Sequence, residues 1–180
     1  QRKGTRCGDL RLLFGSAKRL RKFSLCILVG VPIWYVAGIL MTFSPELAGA
    51  LGVRGDVQAG KAIMVSYVGI MVGDFVVGAL SQWCRNRRYV VMGSLLMLSV
   101  MVVGFLALSG ISREAFYGIC FMVGLTTGYW AVLVTIAAEQ FGTNLRATVA
   151  TSVPNFVRGS VVPLTLLFRW LVPQVSLVGS

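Results

Sequence analysis

The chain contains no histidine. That removes imidazole as a metal ligand, as a haem ligand and as the base of a Ser-His-Asp or Cys-His nucleophile. Cysteine is sparse: Cys7, Cys26, Cys84 and Cys120 are scattered, with no CxxC spacing, so they read as small apolar or interfacial residues rather than a zinc or redox centre. Acidic side chains number only six, and no glycine-rich phosphate loop is present. A polytopic membrane enzyme would need clustered ionisable or metal-binding residues, which this sequence does not offer. It is not expected to be an enzyme, and it implies no cofactor.

Charge is also scarce. Only 13% of residues are charged and 56% are hydrophobic, with a mean hydropathy of +0.79, whereas a soluble domain carries about 25% charged residues. Lipid is therefore the expected solvent for most of the surface. Five apolar stretches are each long enough to cross a hydrocarbon core of about 30 Å: 24–43, 61–82, 89–109, 115–138 and 147–168. Ten-residue alternating strands are absent, and runs of this length satisfy their backbone in lipid as helices. The expected fold class is all-α, a polytopic helical membrane protein with five transmembrane helices. Residues 1–23 form a basic segment preceding a bundle over 24–180. Leu10, Leu13, Ala17 and Leu20 recur at helical spacing beside Arg11, Lys18, Arg21 and Lys22. This suits either an amphipathic helix on an anionic leaflet or a flexible charged linker.

Lysine and arginine set the expected orientation. Arg2, Lys3, Arg6, Arg11, Lys18, Arg19, Arg21, Lys22, Arg85, Arg87, Arg88 and Arg146 fall on one side of a five-span count; Arg54, Lys61, Arg113 and Arg169 fall on the other. Twelve against four puts the amino end in the cytoplasm, with the plasma (inner) membrane as the expected location. The net charge of +11 is then topological, and no nucleic-acid partner is implied. The chain begins at Gln1 without a cleavable signal and ends after the fifth stretch, which reads as a fragment.

Two ionisable residues lie well inside spans, where charge costs about 2.5–3.5 kcal/mol and marks function by default. Arg158 is twelve residues beyond Arg146, about 18 Å of helix rise, near the midplane. Thr148, Thr151, Asn155 and Arg158 share one helix face, with Val149, Val153, Val157 and Val161 elsewhere on the surface. The guanidinium requires an anion: either a structural partner such as Asp74 or backbone carbonyls, or the anionic group of a substrate. Asp74 sits among Gly69, Gly73 and Gly78, which thin the helix for a close neighbour. Asp74 is either an ionised gate or structural residue near the arginine-rich turn, or a proton carrier.

Two segments resemble the major facilitator superfamily of transporters. "GALSQWCRNRR" is similar to the second-half copy of its signature loop, with Gln82 in place of the aspartate and Arg85 in place of the second glycine. "AEQFGTNLRAT" resembles its "AE-x-F-P-T-x-x-R-A" sequence, with Gly142 replacing the proline. The resemblance makes the five stretches spans seven to eleven of a twelve-span fold, nearest to its metabolite, organic-anion and sugar-transporter-like branch.

It implies secondary active transport, as symporter or antiporter, of a small anionic organic solute by alternating access. A coupling proton or ion and the missing N-terminal half of the same transporter would be partners, beside the lipid bilayer. Arg158, Asn155 and Thr151 would face the substrate, joined by Thr126, Tyr129 and Trp130 of the fourth span. Asp74, Arg85, Arg87, Arg88, Glu139 and Arg146 would form the gate and cytoplasmic charge cluster. The alternative is a non-transporting sensor, or a membrane enzyme on a similar scaffold, because fold does not fix function.

Overall fold

The computed structural model describes residues 11–174. Every element in that range is helical. A single turn, α1 (Arg11–Phe14), precedes α2 (Ala17–Tyr35), which widens into a π-helical turn at Val36–Leu40. Short α3 (Ser44–Ala50) follows, then α4 (Ala59–Trp83), α5 (Arg87–Ala107), α6 (Arg113–Thr127), α7 (Trp130–Glu139), α8 (Thr143–Gly159) and α9 (Val161–Gln174). Four helical stretches are long and apolar enough to cross a membrane: Ala17–Leu40, Ala59–Trp83, Arg87–Ala107 and Arg113–Glu139. Met71, Phe75, Leu96, Val100 and Val103 are exposed on α4 and α5, a costly surface in water and an ordinary one in lipid.

The helices start and stop for local reasons. Ser112 caps α6, its Oγ accepting from Ala115 N at 3.3 Å, and Glu114 sits in that positive first turn. Pro45 occupies the first turn of α3, where its missing N–H costs nothing. In α2, Pro32 deprives the ladder of a donor, and four residues later the π turn begins, with Met41 N reaching back to Val36 O. At one end of the bundle the α3–α4 and α5–α6 connections are laced together by Arg54 N to Ile111 O and Gly110 N to Leu51 O, both 2.9 Å.

Two segments show detail beyond the hydropathy pattern. Residues 147–168 do not form one uninterrupted helix. The chain instead makes α8 and α9, separated at Ser160, which keeps right-handed helical dihedrals (φ −65°, ψ −17°). Pro163 accounts for the irregularity, since it has no N–H to return to the carbonyl of Gly159, whereas α8 continues through Pro154. The fifth segment is not among the four stretches long and apolar enough to cross a membrane. The basic residues Lys18, Arg19, Arg21 and Lys22 lie on the first two turns of α2, continuous with the span; Leu10 lies outside the described residues.

Glycine sets the packing. Helices α4 and α6 run parallel and in backbone contact: a Cβ on Gly69 would lie 2.3 Å from Phe121 O, on Gly73 2.2 Å from Leu125 O, and on Gly124 2.2 Å from Ser66 O. Small residues let helices approach in lipid, where packing must replace the hydrophobic drive. Gly78 is not part of this interface, because its Cβ would meet open space. A second core joins α2, α7 and α8 through Phe23, Cys26, Ala137, Phe141 and the fully buried row Val149, Val153 and Val157. There Gly30 receives Val157, whose Cγ2 would be 2.7 Å from an added Cβ.

Candidate functional site

The valine row of α8 fixes where its polar residues go. With Val149, Val153 and Val157 turned into the core, Thr151, Asn155 and Arg158 are exposed and Thr148 is half-buried. Because Val157 seats on Gly30, α8 lies close enough to α2 for the next residue to reach one turn further along it. The Arg158 guanidinium stands 5.5 Å from the centroid of the Trp34 ring, a cation–π distance. Trp34 in turn meets Trp130 edge-on, centroids 6.5 Å apart, and its indole Nε1 is buried without a hydrogen-bond partner among the described residues. Arg158 makes no ion pair among the described residues. A cation on an aromatic platform beside Asn155 and Thr151 can hold an anionic group and hydrogen-bond its surroundings. The exposed face of α8 is open, so enclosure of a ligand requires walls outside the described residues.

The residues expected from the fourth span divide. Trp130 belongs to the platform. Tyr129 is fully buried and donates its hydroxyl to Val29 O at 3.0 Å, and buried Thr126 donates to Val123 O at 2.8 Å. Both hydroxyls are committed to backbone acceptors. Trp34 is the member that the sequence reading did not place at the site. Its signal was an indole at mid-span, whereas spanning helices usually carry tryptophan at their interfacial ends.

Asp74 pairs neither with Arg158 nor with the arginine turn, from which it stands about 16 Å of helix rise away. Its Oδ1 accepts from Ala131 N at 3.3 Å. The reason is a break in the fourth span: α6 ends at Gly128 and α7 begins after Tyr129, exposing unpaired N–H groups where α4 crosses. A Cβ on Gly128 would sit 2.4 Å from Asp74 N, so the glycine admits α4 and the carboxylate caps the new helix in trans. Asp74→Ala should destabilise the protein by about 1 kcal/mol, whereas Asp74→Asn keeps an acceptor and should lose less. Thermal midpoints in detergent check this ordering, and equal midpoints for the alanine variant and the parent would remove the capping role.

At the other end, Arg87 Nη1 donates to Glu139 Oε1 at 2.5 Å, tying the first turn of α5 to the last of α7. Arg85, Arg88 and Arg146 are exposed and make no ion pair among the described residues. Arg85 carries φ +51°, the left-handed region that costs a side-chain-bearing residue roughly 1 kcal/mol and suits glycine. It is the position at which the resembled loop has glycine.

The four long apolar helices are compatible, by length and composition, with a helical integral membrane protein. Comparison with protein-family models, with curated proteins and with solved structures finds no match to this chain.

Proposed function

We infer that the chain is part of a secondary transporter of the major facilitator type and carries the anion-binding face of its substrate path. The observation that carries this reading is Arg158, a guanidinium on the exposed polar face of α8, held at the depth of Trp34 within the first apolar span and free of any carboxylate partner among the described residues. An unpaired cation at that depth is expensive, and a substrate anion offsets the cost. Three further features support it. The irregular segments at Val36–Leu40, at Gly128–Tyr129 and at Ser160 fall on the helices around Arg158, as interruptions do where transporters line a path. The Arg87–Glu139 bridge joins helices at the basic end and is suited to being made in one state and broken in another. The charge asymmetry of the ends favours a cytoplasmic basic end.

In this mechanism a small carboxylate-bearing or similarly anionic solute binds Arg158 bidentately, with Asn155 and Thr151 as hydrogen-bonding neighbours. Helices outside this sequence close the opposite wall, and rocking of the two halves exposes the site alternately. The test is flux. The complete membrane protein containing this chain, reconstituted in proteoliposomes, should take up members of a panel of small organic anions and exclude cations of the same size. Specific binding without flux would instead place it among sensors.

A further inference from the structure

We propose that the turn between α4 and α5 binds one anionic glycerophospholipid, with its phosphate in a basic cleft and an acyl chain in an adjoining apolar groove. This does not depend on the transport reading. The cleft, of about 600 Å³, is lined by Lys22, Arg85, Arg87, Arg88, Glu139 and Gln140, with Asn86 and Ile136. Four cations face one carboxylate there, and Arg87 already engages that carboxylate. The excess positive charge asks for an anion. The groove, of about 370 Å³, runs between α4, α5 and α6 past Leu80, Val90, Gly93, Met97 and Leu125, and reaches Cys84 and Tyr89. Cys84 precedes Arg85 and Tyr89 follows Arg88, so the apolar lining gives way to the basic one within the same turn.

Membrane depth favours a lipid over a free phosphate. Trp83 and Tyr89 are 84% and 71% exposed at the ends of α4 and α5, and aromatic rings of this kind sit at headgroup level. That depth brings Arg85 and Arg88 to the phosphates, and basic pockets beside spanning helices recruit anionic headgroups. Arg85 adds an independent sign. Its left-handed backbone is strained for arginine and relaxed for glycine, so the charge is kept at a conformational cost.

The backbone of Arg85 gives the decisive variant. Arg85→Gly removes a cleft cation while relaxing the turn, so it should raise the thermal midpoint of the full chain and weaken lipid binding together. Native mass spectrometry in detergent, titrating phosphatidylglycerol against phosphatidylcholine, should show about tenfold preference for the anionic lipid in the parent. Arg85→Gly combined with Arg88→Gln should abolish the preference. Gly93→Phe, placed where an added Cβ meets nothing, should weaken both lipids about equally by filling the groove. Equal binding of the two lipids by the parent would overturn the proposal. So would displacement of phosphatidylglycerol by millimolar inorganic phosphate, which would mark a free-anion site, or an unchanged preference in the double arginine variant.

Discussion

Gly124→Leu should cost the protein about 3 kcal/mol or more and remove most of its monodisperse fraction in detergent. The added Cβ would meet Ser66 O at 2.2 Å and the Ser66 carbonyl carbon at 3.0 Å. Those are backbone atoms, which cannot swing aside as a side-chain tip can. The helices must separate, and overpacking of a tight interface costs about 1–3 kcal/mol even where side chains can adjust. Separation would also loosen Gly69 on Phe121 and Gly73 on Leu125, which lie along the same seam. Gly118→Ala is the internal control. Nothing lies within 4 Å of its added Cβ, so it should be neutral or stabilise by up to about 1 kcal/mol through helix propensity. Thermal unfolding of both variants followed by size-exclusion elution reads the contrast. A Gly124→Leu protein as stable as Gly118→Ala would show that α4 and α6 are not in backbone contact.

That seam also shows where sequence reading stops. Gly69 and Gly73 are recognisable as small residues on an apolar helix, but Gly78 has the same appearance and faces open space. Periodicity describes one helix's surface and does not say which neighbour it meets. The partner glycines, Gly124 and Gly128, stood in a segment that reads as one continuous span, because hydropathy sums across a break without registering it. The break decides the role of Asp74, whose partner is an N–H that exists only because α7 starts anew. The polar stripe of α8 was legible for the opposite reason: it depends on a single helix's own period, with Val149, Val153 and Val157 on the other side. The interruption at Ser160 escaped for the same reason as the one at Gly128. The resemblance put Glu139 near Arg85, Arg87 or Arg88, and the structure brings Arg87 to it; the role of that bridge belongs to the transport proposal.

Arg158→Ala in the complete protein should reduce anion uptake roughly a hundredfold, with membrane expression retained. Removing one partner of a desolvated charge pair costs about 2–5 kcal/mol, and each 1.4 kcal/mol is about tenfold in affinity. Arg158→Lys keeps the charge but loses the planar fork and its stacking on Trp34, so it should recover only part of the uptake. Trp34→Leu leaves the guanidinium and removes its platform; a cation–π contact of about 0.5–2 kcal/mol predicts a loss between about twofold and thirtyfold, expressed in KM. The series separates binding from scaffolding. An arginine retained for structure would make Arg158→Leu destabilising. An arginine retained for substrate makes the same change neutral or stabilising in detergent, because an unpaired charge has been taken out of the membrane-spanning region. Lost uptake with an unchanged or raised thermal midpoint is the expected pair of results. Uptake by Arg158→Ala within twofold of the parent would reject Arg158 as the anion anchor, since no other mid-span cation in this sequence is available to replace it.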